Sequence, residues 1–419
     1  MFALADCNNF FVSCERVFRP DLRDKPVVVL SGNDGCVVAR SNEVKRLGIK
    51  MGVPFYQIQN EVKKYGIVHF SSNFALYGDL SSRIMRMLGR HTDNLQQYSI
   101  DEAFLDLSHL HTSDEQIQLC RTLREQILRG VGVPLSFGIA PSKTLCKVAA
   151  DYAKHYDGYH GVCIIDSDDK RRKALADYPI TEIWGIGRQS AAKLQQAGIT
   201  NALDFAGHSE YFARNLLNKT GWETWRELNG DPCILSRELP AKQSITCSRT
   251  FAHPVSDRTL LEQALCDFCS NVALKLRKQR SVCHQMVVFA HPSRFNNQPQ
   301  PAINDTISFA IPTSNTSEMI ERLLLAVRQQ WREGVQYKRG GVILLGIEQV
   351  RGLQQSLFDD RDRQRDNRIQ LAIDKVNAHF GKNTLRQAVT LPTDTKLYEV
   401  GQKSPAYTTN LREIITLHV

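Results

Sequence analysis

The spacing of apolar and polar positions over the first thirty residues predicts strand, helix, strand. Phe2-Ala3-Leu4-Ala5-Asp6 is extended and apolar. Asn8 or Asn9 is suited to cap a helix that runs to about Phe18 and stops before Pro20. Pro26 opens the run Val27 to Leu30, whose β-branched content suits a buried strand. A second helix carrying Glu43, Lys45 and Arg46 ends at Gly48, a residue suited to a helix C-cap. Farther along, Leu95 to Leu107 reads as a tight hairpin with Ser99-Ile100-Asp101-Glu102 at its turn. A strand over Leu135 to Ile139 leads through Pro141 into a helix from about Ser142 to Lys154. On that helix Leu145, Val148, Ala149 and Tyr152 fall at i, i+3, i+4, i+7, while Lys143, Lys147 and Lys154 lie on another face.

Residues 166 to 232 are helical, short-looped and punctuated by glycine. From 241 to 350 the pattern reads β-α-β-β-α-β, the split βαβ order, with strands near 244–251, 285–291, 305–310 and 340–347 and helices near 260–280 and 317–332. Beyond Gly352 the chain turns polar, and one amphipathic helix follows with Ile369, Ile373, Val376 and Phe380.

At 419 residues the chain is too long for one domain, and about two to four are expected. Its 42% hydrophobic and 23% charged residues exclude a disordered protein. No apolar run is long enough for a membrane span, and Asp6 falls where an export leader needs an apolar stretch. Lys and Arg outnumber Asp and Glu by 53 to 44, a balance that leans toward a polyanionic partner. The 241–350 module contributes to it with 13 basic against 8 acidic residues. Eleven cysteines show no framework spacing. Cys266 and Cys269, the one C-x-x-C, lie on one helix face and read as buried reduced thiols, in keeping with a reducing, cytoplasmic setting.

Two acidic sites each end an apolar strand: Asp6, and the pair Asp101-Glu102 in the hairpin turn. Strand ends beside a helix N-terminus are favoured ligand sites. Three carboxylates there suit hard divalent cations, and two ions could activate a hydroxyl and stabilise a leaving pyrophosphate. Lysines of the 142–154 helix, with Lys45 and Arg46, could balance a triphosphate. Taken singly, these acids read as turn and cap residues, and it is the whole set beside a basic surface that favours a cation site; Asp106, nearer its strand's end, reads as structural. Of Phe10 and Phe11, one can be core while the other lies over the acids, where a flat ring could exclude a ribose 2′-hydroxyl.

Ile180-Thr181-Glu182-Ile183-Trp184-Gly185-Ile186-Gly187, followed by Ala191 and Leu194, has helix-hairpin-helix spacing. Gly185 and Gly187 allow a tight turn exposing backbone N–H groups, which can hold a DNA phosphate without reading sequence.

Met1–Asp6, Phe18-Arg19-Pro20-Asp21-Leu22, Asn33-Asp34-Gly35-Cys36-Val37, Tyr98–Phe104 and Trp184–Gly187 resemble Y-family DNA polymerases, and more narrowly the UmuC-type catalytic subunits of polymerase V-type complexes. The resemblance implies a multidomain α/β and α+β protein, a right-hand polymerase. Its palm would be residues 1–19 and 76–165, its fingers 20–75, its helix-hairpin-helix thumb 166–232 and its little finger 241–350. The resemblance also implies Asp6, Asp101 and Glu102 as ligands of two Mg²⁺ ions, with Cys7 assisting through its carbonyl. Phe11 falls on the family's steric-gate position and Lys154 on its triphosphate-binding lysine. Lys45 stands where many relatives carry Arg, and Asn42 where many carry Tyr; an ammonium does not reproduce a bidentate guanidinium contact.

Gln354, Leu357 and Phe358 resemble the short peptide that engages the β sliding clamp. The rest of the 351–419 tail would serve a UmuD′-type dimer and a RecA filament. The expected activity is error-prone translesion synthesis in the SOS response, adding dNTPs to a primer on template DNA. The structured length leaves no room for a proofreading exonuclease. A non-catalytic DNA-binding repair subunit and a metal-dependent nuclease with a helix-hairpin-helix are the alternatives.

Overall fold

A computed structural model describes residues 1–234, 241–293, 300–350, 359, 361–390, 397 and 401–415. Two units divide the chain: residues 1–237 together with 400–419, and residues 238–399.

In the first unit the chain runs β1 (Phe2–Cys7), α1 (Phe10–Phe18), β2 (Val27–Leu30), β3 (Val37–Arg40), α2 (Asn42–Arg46), α3 (Gln59–Tyr65), β4 (Val68–Ser71), α4 (Phe74–Leu88), β5 (Leu95–Gln97), β6 (Glu102–Asp106), α5 (Ser113–Val131), β7 (Leu135–Ala140), α6 (Lys143–His155) and β8 (Val162–Ile164). Five strands form one sheet in the order β5-β6-β1-β7-β8, antiparallel except for the β7–β8 pair. Period-two alternation explains its two faces. Ala3, Ala5 and Cys7 turn into a core with Leu76, Leu80 and Ile84 of α4 and Leu123 and Ile127 of α5. Leu4 and Phe104 turn the other way, against Leu145, Ala149 and Ala150 of α6.

The side chain absent at Gly138 sets how closely α6 can lie. A Cβ there would stand 2.1 Å from the Cys146 carbonyl oxygen and 2.2 Å from the Ala150 nitrogen. Strand β7 is buried throughout, so the helix backbone rests directly on it.

A smaller sheet has the order β3-β2-β4. All four residues of β2 are buried, Val27 and Val29 in the main core and Val28 and Leu30 in a second cluster with Val37, Val44 and Ile58. Burial on both faces is why the run lacks alternation. The expected side-chain cap of α1 is not made: Asn9 adopts the left-handed region (φ 48°) and its amide donates to Asn42 Oδ1 at 3.0 Å instead. Helices α7 (Asp168–Ala176), α8 (Arg188–Gln196), α9 (Ala202–Gly207), α10 (Glu210–Leu216) and α11 (Lys219–Leu228) complete this unit's helical part. Residues 401–415 also belong to it, and Lys403 bridges in parallel to Ser71 at the edge of β4.

The second unit runs β9 (Ile245–Val255), α12 (Arg258–Lys278), β10 (Ser281–Pro292), β11 (Ile303–Thr313), α13 (Thr316–Gln330), β12 (Tyr337–Gln349) and α14 (Arg363–Phe380). Its sheet order is β11-β10-β12-β9, every pair antiparallel. Each crossover therefore spans a strand of the other, the split βαβ arrangement read from the sequence. Cys266 and Cys269 are fully buried free thiols on α12. The amphipathic reading of α14 holds for Ile373 and Val376, which are partly buried, and needs correction for the rest of the stripe. Its seat is polar: Arg277 forks onto both Asp374 oxygens at 2.7 and 3.0 Å and Gln370 is buried, whereas Ile369 and Phe380 are exposed. A half-buried guanidinium needs its carboxylate more than the helix needs an apolar contact. Among the described residues, no helix is long and apolar enough to cross a membrane.

Candidate active site

Strand register brings the acids together. Asp6 pairs directly with Glu102 across β1 and β6, and the Cys7 amide donates to the Asp101 carbonyl at 3.0 Å. Asp106, opposite Phe2 at the far end of β6, is about 13 Å along the strand from Glu102. Asp6, Cys7, Asp101 and Glu102 line a cleft of about 410 Å³ together with Phe11, Arg40, Lys45 and Lys154. The Cys7 thiol is buried, so what this residue could offer an ion is its carbonyl oxygen.

Alternation also decides which charges meet. Asp6 shares the face of Leu4, toward α6, and Lys154 Nζ sits 2.5 Å from its Oδ2. Glu102 shares the face of Phe104, and Lys147 Nζ lies 2.8 Å from its Oε1. Ser99 Oγ donates to Asp101 Oδ1 at 2.6 Å. Burial raises Asp6 to a pKa of about 6; Lys154 opposes that shift, while the charges of Glu102 and Asp101 add to it. Among the described residues no three Asp, Glu, His or Cys side chains are gathered tightly enough to hold an ion. The oxygens lie along one wall, with lysine ammoniums on two of them. The donor set is nonetheless all hard oxygen, and its mutual repulsion is what a divalent cation relieves; Lys154, 30% exposed, has room to withdraw.

Three cations, Arg40, Lys45 and Lys154, line the same cleft. Lys45 is held below its ordinary pKa by burial and then by the charges of Lys154 and Arg40. Arg40 bonds the Ile49 carbonyl through one guanidinium nitrogen and leaves its buried Nε without a partner. Arg46, expected beside Lys45, does not line the cleft, because one residue along a helix turns the side chain away by about 100°. Lys143 is likewise elsewhere: it is buried, bonds Gln96, and stands over the Phe104 ring.

Aromatic rings close one side. Phe10, buried in the core, and Phe11 both line the cleft, and Phe11 is stacked on Tyr77 with centroids 4.5 Å apart and an interplanar angle of 15° and edge-on to Phe74.

In the glycine hairpin the first arm is shorter than its spacing predicts: one 3-10 turn, Ile180–Glu182, before α8. Gly185 has φ +91°, and a Cβ there would stand 2.1 Å from Thr224 Oγ1, so only glycine fits. Gly187, at φ −78°, caps α8 with open space around its α-carbon. Trp184 Nε1 donates to the Tyr98 hydroxyl at 2.9 Å. Lys147 lies over both rings. The hairpin is thereby tied to the turn that carries Asp101 and Glu102.

Residues 5–151 match the impB/mucB/samB family, 242–357 the C-terminal domain of the same family, and 367–417 a domain of unknown function. Protein SamB of Salmonella typhimurium is 38% identical over 99% of both chains. Protein UmuC of Salmonella typhimurium strain LT2 is 36% identical over 99% of both. The chain belongs to the impB/mucB/samB family. It is a Y-family DNA polymerase, a nucleotidyltransferase of the error-prone translesion kind. A solved Y-family DNA polymerase chimera, Dbh-Dpo4-Dbh, covers 83% of this chain and all of its own with a TM-score of 0.65 at 23% identity, which shows the right-hand polymerase fold. Polymerases of this family generally use divalent metals.

In this polymerase Asp6, Cys7, Phe11, Lys45, Asp101, Glu102 and Lys154 share one cleft. Gly185 and Gly187 lie outside it, and Gln354, Leu357 and Phe358 lie outside the described residues. Sequence reasoning missed Arg40 and Tyr77. A signal existed for each: Arg40 shares the face of Val38 on a four-residue strand, and Tyr77 stands one turn into a helix capped by Asn73. A larger cavity of about 620 Å³, lined by Tyr152, Tyr156, Tyr159 and Arg121, contains none of these site residues.

Proposed function

We propose that this chain is the catalytic subunit of a polymerase V-type complex, using Asp6, Asp101 and Glu102 to hold two Mg²⁺ ions and the cations of the same cleft to hold an incoming dNTP. One observation carries the reading: the carboxylates of Asp6, Asp101 and Glu102 and the cations Arg40, Lys45 and Lys154 line one cleft that Phe11 borders, and burial pushes Asp6 up and Lys45 down. The two ions would supply charge neutralisation at the attacking and leaving oxygens. The chain's own part is binding and positioning, as phosphoryl transfer requires. Lys154, Lys45 and Arg40 would take the triphosphate, Phe11 would meet the sugar face where a 2′-hydroxyl projects, and the Gly185–Gly187 turn would hold a primer-template phosphate. Lys154 and Lys147 neutralise the acids until nucleotide and metal arrive.

In this reading residues 1–19 and 76–165 are the palm, 20–75 the fingers, 166–232 the thumb and 241–350 the little finger. Full-length likeness to UmuC supports a UmuD′-type dimer and a RecA filament as partners, the β clamp as the anchor at Gln354, Leu357 and Phe358, and a cytoplasmic setting. The test is a primed, lesion-bearing template incubated with the complete complex and Mg²⁺, with and without dNTPs. Extension only with dNTPs supports the proposal. Silence would make the chain a DNA-binding subunit, and primer shortening would make it a nuclease.

A further inference from the structure

Residues 401–415 return to the first unit and close on α1, which carries Phe11 of the cleft, and on α4, which carries the Tyr77 ring stacked on it. Asn73, fully buried, caps α4 through its side-chain oxygen. Its amide nitrogen donates to the Ser404 carbonyl and hydroxyl, each at 3.0 Å, and to the Pro405 carbonyl at 3.1 Å. Ser404 Oγ donates to Glu15 Oε1 at 3.0 Å, and the Tyr77 hydroxyl donates to the same oxygen at 2.6 Å. Glu15 is fully buried and its other oxygen has no partner.

The attachment continues on both sides. The Gly401 amide donates to Asp34 Oδ2 at 2.7 Å, the Gln402 amide to Ser71 Oγ at 3.0 Å, and Tyr407 stacks on Phe18 with centroids 4.6 Å apart. Phe11 and Glu15 are four residues apart on α1, as Asn73 and Tyr77 are across the start of α4, so each pair shares a face. An unbroken chain of contacts therefore runs from Ser404 through Glu15 and Tyr77 to Phe11.

We propose that this C-terminal strap positions the ring that discriminates sugars: Ser404, acting through Glu15 and Tyr77, sets the pose of Phe11 and so how strictly the cleft rejects a ribonucleotide. The inference rests on Phe11 meeting the sugar, as proposed above. Hydrogen bonds in a buried network strengthen one another, so removing one member loosens the rest. Without the Ser404 hydroxyl, Glu15 keeps one donor and the Asn73 amide loses one acceptor. The stacked Tyr77 can then shift, and Phe11 with it.

The test uses the full chain in its primer-extending complex, with kcat/KM measured for a dNTP and the matching rNTP alongside a thermal melt. Phe11→Ala should lose most of the discrimination. Ser404→Ala should lower it about three- to tenfold, the scale of one buried hydrogen bond, by improving rNTP use while dNTP use stays within about twofold. Ser404→Thr should restore it, and Ser404→Ala added to Phe11→Ala should change nothing further. Unchanged discrimination in Ser404→Ala would overturn the strap's role. So would an equal loss for both nucleotides, or a loss that persists in the Phe11→Ala background. If Phe11→Ala itself keeps full discrimination, the sugar-contact reading fails first, and that failure is visible before any strap variant is measured.

Discussion

Replacing Gly138 by alanine tests whether the α6 backbone must rest on β7 for the cleft to work. The added methyl would stand 2.1 Å from the Cys146 carbonyl oxygen and 2.2 Å from the Ala150 nitrogen, against about 3.4 Å for ordinary contact. Both obstacles are backbone, so no side chain can swing aside. Helix α6 has to lift by about 1.3 Å, or the strand has to bend. Overpacking of a filled core costs about 1–3 kcal/mol, and each kcal/mol lowers the melting temperature of a unit this size by about 2–4 °C. The same displacement moves Lys147 and Lys154 off Glu102 and Asp6, from 2.8 and 2.5 Å. Misplacement of about 1 Å near a reaction centre can cost about a hundredfold in rate. Gly138→Ala should therefore melt several degrees early and extend a primer about tenfold to a hundredfold more slowly, measured by a thermal scan and single-nucleotide insertion. Wild-type values for both would refute the reasoning, since they would mean that α6 can sit higher without consequence.

Asp101→Ala should abolish primer extension while DNA binding, measured by fluorescence anisotropy, stays within about twofold; retained extension would remove Asp101 from the ion-binding set. Chelation with EDTA should stop extension and added Mg²⁺ restore it. The melting temperature should hardly move, because Lys154 and Lys147 already neutralise two of the acids; a collapse on chelation would contradict that. Gly185→Ala, strained at positive φ and blocked by Thr224, should weaken binding to primed DNA of any sequence by at least about tenfold, and sequence-dependent loss would argue against a phosphate contact. Leu357→Ala with Phe358→Ala should reduce clamp pull-down yet spare clamp-free synthesis, and undiminished pull-down would dismiss the clamp peptide.

How far the sequence carried these conclusions depended on whether a feature was local. Strand β1 announces its chemistry because an apolar period-two run ends in Asp6, and the same alternation fixes the face on which the acid lies. The β-α-β-β-α-β order was readable for the same reason, as was the Gly185 turn, where positive φ leaves no other residue. What local pattern reports is that a face is buried, not what it is buried against. Lys147 and Lys154 were legible as a cationic face, yet nothing in their spacing says they meet Glu102 and Asp6, which lie on other elements. Arg40 escaped because a four-residue strand gives alternation too little length to register. Helix α14 shows the reverse error: its apolar stripe is real, but the half-buried Arg277 recruits Asp374 from another face. The return of Ser404 to Asn73, 331 residues away, has no local signature at all.

That distant return bears on how the cleft holds its shape. Asp6 and Lys45 each resist burial, and in the protein by itself Lys154 and Lys147 pair with Asp6 and Glu102. Such pairing is reversible because the lysines are flexible and partly solvated. The aromatic side has no comparable freedom: Phe11 is pinned by Tyr77, Tyr77 by Glu15, and Glu15 by a strap from the end of the chain. A polymerase tolerant of damaged bases can leave its template side permissive, but in the proposed reading sugar choice rests on the Phe11 ring being held still. The fold accordingly pairs soft, exchangeable charge contacts with a buried hydrogen-bond lock at the ring. Loosening the lock should relax sugar choice before it slows synthesis, whereas disturbing the charges should slow synthesis first.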